Sequence, residues 1–274
     1  MDAMTIAAIN WEIRPITSLE EFLGHLRSLL EFAKADLIVL PELPVLELLS
    51  LHPGVKEIEV SDVLETYAEP YESAIQAFAK ENGCTVVGGS HIRNRRNVCL
   101  VAEPERSWFQ PKNVLTQWES QEWNLDCSTG LRISTDGQIG VTVCYDCEFP
   151  ESGRVLAEAG VLIQCIPAYT ETRHGFQRVR WCAQARAIEN QIITVHASLV
   201  GSLGAEPVLT TYGSSAILAP SIAPFPESAI LAETELNKEG IARAEVDLET
   251  LIQARNEGDV RNWNDRRASD WKLL

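Results

Sequence analysis

A carboxylate, an ammonium group and a thiol stand at three separated points of the chain, each just beyond a run of apolar and β-branched residues. Glu42 follows Leu37-Ile38-Val39-Leu40, Lys112 follows Ser107-Trp108-Phe109-Gln110, and Cys144 follows Ile139-Gly140-Val141-Thr142-Val143. In layered α/β proteins, sites gather where strands end. There, a thiol held at a chain turn is both fixed and reachable. The three groups form a set for acyl transfer. The carboxylate takes the thiol proton, the ammonium stabilises the developing oxyanion, and its field favours thiolate. Taken singly, each has a plainer fate: a buried cysteine as a small hydrophobe, a glutamate between prolines as a turn residue, a solvated lysine.

The elements that must position this set follow from pattern. Thr5–Asn10 reads as a buried strand. Ser18 with Glu21 resembles a capping box, opening a helix whose apolar face comprises Leu19, Phe22, Leu23, Leu26, Leu29, Leu30 and Phe32. Leu37–Leu40 is a short strand halted by Pro41-Glu42-Leu43-Pro44. A second helix runs from about Pro70 to Asn82, with Gly83 as its C-cap. Strands are expected at Thr85–Gly89, Asn97–Val101, Ser107–Gln110 and Ile139–Val143. A helix follows at Glu151–Ala159, a strand at Val161–Ile166, a long helix at Gly175–Asn190 and a strand at Ile192–Ala197. Shorter strands are expected at Ser214–Leu218 and Ile241–Val246. With no Ser/Gly linker or composition break, the pattern predicts one α/β domain of helix-covered sheets.

At 274 residues and 45% hydrophobic content, the chain can bury a sizeable core. Its net charge of -16 disfavours nucleic-acid and anionic-membrane binding. No apolar run approaches the length of a membrane span, and Met1-Asp2-Ala3-Met4 lacks the positive start of a secretory signal. The seven scattered cysteines fit reduced thiols in the cytoplasm better than a disulfide framework.

Three short elements, in order, carry a resemblance. Leu40-Pro41-Glu42, Gln110-Pro111-Lys112-Asn113-Val114-Leu115, and Val143-Cys144-Tyr145-Asp146 with Phe149-Pro150-Glu151 together resemble the nitrilase, or carbon–nitrogen hydrolase, superfamily, in its amidase-like branch. Arg154, Gly160, Pro167, Ala185-Arg186-Ala187-Ile188-Glu189-Asn190, Tyr212-Gly213-Ser214-Ser215 and Asp265-Arg266-Arg267 extend the match across nearly the whole chain.

The resemblance implies a four-layer α-β-β-α sandwich spanning residues 1–274 as a single domain. It also implies a homodimer or higher oligomer, with the segment from about 250 to 274 at the contact. By position, Glu42 is the general base, Lys112 the oxyanion donor and Cys144 the nucleophile. Glu119 is the second glutamate that helps place substrate, with Glu122 as its rival. The implied reaction hydrolyses an amide or carbamoyl amine through a thioester, with the Tyr145 N–H as a further oxyanion donor and no metal or organic cofactor. Tyr145-Asp146 stands where nitrilases carry Trp-Glu, which ranks amides above nitriles.

The positions after the nucleophile, where members with acidic substrates carry arginine, hold Cys147 and Glu148. A pocket-facing Glu148 would repel a carboxylate; pairing with a nearby arginine would cancel that inference. Arg173 is a candidate anion contact, Trp118, Trp123 and Tyr169 are candidate walls, and Cys147 is expected beside the site.

Other readings compete. A Cys-His hydrolase needs one of His25, His52, His91, His174 or His196 near the thiol; His25 falls on a helix expected at the surface. Cys144 and Cys147 have metal-ligand spacing but no second pair. A non-catalytic binding member of the fold would have little use for Glu42, Lys112 and Cys144 together.

Overall fold

The computed structural model describes residues 3–266. In chain order the strands are β1 (Met4–Ile13), β2 (Leu37–Val39), β3 (Thr85–Arg93), β4 (Arg96–Glu103), β5 (Arg106–Pro111), β6 (Ile139–Val141), β7 (Ile163–Tyr169), β8 (Ile193–Gly201), β9 (Ala216–Leu218), β10 (Ile230–Glu233) and β11 (Gly240–Val246). The helices are α1 (Leu19–Ala33), α2 (Val60–Glu65), α3 (Ala68–Asn82), α4 (Gln117–Gln121), α5 (Pro150–Glu158), α6 (Arg173–Asn190) and α7 (Leu248–Glu257).

One layer runs β11-β1-β2-β3-β4-β5 and the other β6-β7-β8-β9-β10. They join at one corner, where Trp11–Ile13 of β1 pairs in parallel with Leu199–Gly201 of β8. Alternation along β1 shows how the layers stack. Ile6 and Ala8 pack between the sheets with Val39, Val101, Cys165, Val195 and Ile217. Ala7 and Ile9 turn the other way, onto Phe22, Leu26 and Leu30 of α1 and Ile75 and Phe78 of α3. On the far side, Val179, Ala183 and Ala187 of α6 cover the second sheet. The result is the expected α-β-β-α sandwich.

Local signals explain several boundaries. Ser18 accepts from the Glu21 N–H at 3.2 Å, while the Glu21 carboxylate reaches Thr17 instead of closing the reciprocal bond to Ser18. Gly83 ends α3 in the left-handed conformation, φ 63°. Two expectations for α1 are corrected. Phe32 is 73% exposed, and His25 is buried, bonded to Glu47 and Glu239. α7 and β10 are additional elements. Leu248 and Leu251 of α7 enter the inter-sheet core. No helix among the described residues is long and apolar enough to cross a membrane.

Candidate active site

Glu42 owes its position to a clamp. β3 bulges between Val87 and Ser90. The Leu40 N–H donates to Val87 O before the bulge and the Leu43 N–H to Ser90 O after it, so Pro41 and Glu42 project from a fixed loop. Gly89, at φ +62°, makes this possible: a Cβ there would lie 2.0 Å from the Pro41 carbonyl oxygen.

Lys112 follows the last residue of β5, its N–H bonded to Asn97 O of β4 at 2.8 Å. Its ammonium donates to Glu42 Oε1 at 2.8 Å and Glu119 Oε2 at 2.6 Å. Glu119 sits at the third position of α4, in a capping box with Thr116. The Thr116 N–H donates to Glu119 Oε2 at 2.9 Å, and the Glu119 N–H donates back to Thr116 Oγ1. This local helix start aims the carboxylate at the lysine. Glu119 is thus the glutamate that joins the cluster, while Glu122 is exposed.

Cys144 begins the 3₁₀ turn Cys144–Glu148 after β6, with φ +47°. For a residue with a Cβ this is a sparsely populated conformation, costing on the order of 1–3 kcal/mol. The surroundings hold the turn. Buried Asp146 accepts from the N–H groups of Asn113 and Val114, just past the lysine. Arg186 of α6 donates to the carbonyls of Cys147 and Glu148. The lysine loop, Cys144 turn and Arg-Ala-Ile-Glu-Asn helix are therefore one hydrogen-bonded assembly. The thiol approaches Tyr169 O at 3.5 Å, and the Tyr169 N–H donates to Glu42 Oε2 at 3.0 Å.

One member of the cluster carried no sequence signal. Asn97 Nδ2 donates to Glu42 Oε1 at 2.9 Å and to Glu119 Oε1 at 2.8 Å. An asparagine at a strand start is too common to single out. Asn113-Val114 and Asp146 lay within the quoted motifs, but only the fold shows that they bond to each other.

Burial sets the titration. It pushes the Glu42 carboxyl above its ordinary range, and the Glu119 charge adds to this against the opposing Lys112. Glu119 ends below its ordinary range, because Lys112 and the hydrogen bonds outweigh its own burial. Lys112 ends well above its usual value, the two carboxylates overcoming desolvation. Burial, reinforced by Glu42, drives the Cys144 thiol well up. The resting thiol is protonated and the ammonium stays charged.

Glu42, Lys112, Glu119 and Cys144 meet at a cavity of about 540 Å³. Tyr145, Glu148, Trp118, Trp123 and Tyr169 line it as well. Arg173 does not: it is exposed at the start of α6, and the lining arginine is Arg178, farther along the same helix. Glu148 Oε2 lies 3.4 Å from Arg178 Nε, so the inference of carboxylate repulsion by Glu148 is withdrawn. Cys147 is not beside the site but in the core, its thiol 3.8 Å from Val179 O. Among the described residues, which include all five histidines, no histidine lines the cavity; His196 instead accepts from Arg180. Among the described residues no cluster of three His, Cys, Asp or Glu side chains could hold a metal.

Residues 5–256 match the carbon-nitrogen hydrolase family profile, and the chain belongs to that family. It is 35% identical to the probable hydrolase YhcX of Bacillus subtilis, over 96% of this chain but 53% of YhcX; the chain thus spans about half of that relative. It is 25% identical to the 2-oxoglutaramate amidase of Paenarthrobacter nicotinovorans, over 98% of this chain and 91% of the amidase. Among solved structures, a mutant amidase from Nesterenkonia sp. AN1, seen after Michael addition of acrylamide at its active-site cysteine, superposes with a TM-score of 0.71. Identity there is 20%, over 93% of this chain and 97% of the other.

Proposed function

We propose that this chain hydrolyses a non-peptide carbon–nitrogen bond of a small amide or carbamoyl amine through a thioester on Cys144. The observation that carries this reading is the convergence of Glu42, Lys112 and Cys144, remote in sequence, on one cavity. Glu42 takes the thiol proton as Sγ attacks the carbonyl carbon. The oxyanion is held by Lys112 Nζ and the Tyr145 N–H. Collapse breaks the C–N bond, and Glu42 passes its proton to the departing ammonia or amine. Water then attacks the thioester, Glu42 taking its proton. The acid leaves, and the proton returns to sulfur. Glu42, whose proton affinity is raised by burial and which interacts with Cys144, is the base, whereas Glu119, held below its ordinary range by Lys112, fixes the lysine. The reading also draws support from the 2-oxoglutaramate amidase relative. The seven free cysteines support a reducing compartment such as the cytoplasm.

The experiment is a panel of amides, carbamoyl amines and nitriles read by ammonia release. Turnover of amides or carbamoyl amines with nitriles left intact is expected; turnover of nitriles alone would replace the reading.

We further propose a homodimer through the outer helical face, where Val155 of α5 and Trp181 and Ile188 of α6 are exposed, with the C-terminal segment contributing. Residues 267–274, including Arg267, lie outside the described residues. Sedimentation should give twice the chain mass, and Trp181→Glu should return it to the monomer value.

A further inference from the structure

Resting on the amide-hydrolase reading, we propose that the cavity selects a small amide with a positively charged group remote from the scissile bond, bound against Glu171 and the tryptophan wall. The charges facing the cavity are unequal in availability. Lys112 is held by Glu42 and Glu119, and Arg178, the other lining cation among the described residues, faces Glu148. Glu171 also lines the cavity and is exposed. It is positioned by the neutral Tyr169 hydroxyl at 3.0 Å and forms no ion pair among the described residues.

The approach is acidic too. Glu57 accepts the Trp123 indole N–H at 2.6 Å. Burial raises its proton affinity first, and neighbouring Glu206 and Glu122 raise it further. Trp118, 42% exposed, supplies aromatic surface beside these carboxylates, backed by the buried Trp123, which also lines the cavity. Aromatic faces with an unpaired carboxylate are the chemistry that recognises an ammonium or guanidinium group. A substrate carboxylate would meet like charge, and among the described residues no uncommitted lining cation receives it.

The test compares three amides of similar length: 5-aminopentanamide, hexanamide and glutaramate. The predicted kcat/KM order is cationic, then neutral, then anionic, with about tenfold between the first two that shrinks at high salt. Glu171→Gln should remove most of that gap through KM for 5-aminopentanamide. The same amides are also scored as protectants of Cys144 against iodoacetamide, a readout independent of turnover. Protection in the predicted order without hydrolysis would overturn the reaction and keep the charge preference. Hydrolysis with hexanamide or glutaramate preferred, or equal protection by all three, would overturn the preference.

Discussion

The inner and outer halves of the cavity are built differently. At the inner end, Glu42, Asn97, Lys112 and Glu119 are each at most 5% exposed and cross-bonded, and each is anchored by a strand end or a helix start. At the outer end, Trp118, Glu171 and Arg178 are exposed and sit on a short helix, a loop and an outward helix face. The inner cluster is preorganised for one kind of chemistry. The outer wall leaves its contacts to be completed by a ligand. Groups that stabilise a transition state gain from not having to move, whereas groups that choose a substrate can change without disturbing the reaction.

Substitutions should separate the two halves. The largest effect is expected from Cys144→Ala, which should abolish turnover while the far-ultraviolet circular dichroism stays unchanged. Lys112→Met should follow. Losing the oxyanion donor costs about a hundredfold or more in kcat. The same change strands two buried carboxylates, at about 3–5 kcal/mol in urea unfolding. Arg178→Met, at the outer end, should shift stability by no more than about 0.5 kcal/mol. An equal stability loss for both variants would erase the distinction between the halves.

Gly89→Ala is expected to be intermediate. The new Cβ meets the Pro41 carbonyl, so the Glu42 loop must shift, at about 1–3 kcal/mol with a fall in kcat. Normal kcat in that variant would show that the clamp does not position Glu42.

The smallest effect concerns pH. Glu42 must be ionised to act as base, and its pKa is raised by burial. Hence kcat/KM should fall as pH drops through a value above the ordinary glutamate range. Asn97 donates to the ionised form, so Asn97→Leu should move this acid limb to still higher pH. An unmoved limb would assign the titration to another group.

The sequence made this inner end readable because Glu42, Lys112 and Cys144 each follow a strand within a short motif. Asn97 was hidden because its function depends on two carboxylates 22 and 55 residues away. The outer end was harder to read for a different reason. Which arginine faces the cavity depends on where α6 starts and how it is rotated, and the helix begins at Arg173, two residues before the expected Gly175. In the fold Arg178 lines the cavity and Arg173 stands in solvent. His25 was misplaced for a similar reason: the polar partners that bury it, Glu47 and Glu239, arrive from distant segments. α7 was missed because its apolar stripe is short, with Leu248, Leu251, Ile252 and Ala254 confined to a ten-residue helix.

The most direct test of the proposed chemistry is intact-protein and peptide mass spectrometry during turnover of a slow amide. A single acyl adduct, mapped to Cys144 and discharged by water to regenerate the free thiol, is the expected result. An adduct on another residue, or steady turnover with no acyl-enzyme under rapid quench together with full activity in Cys144→Ala, would contradict it.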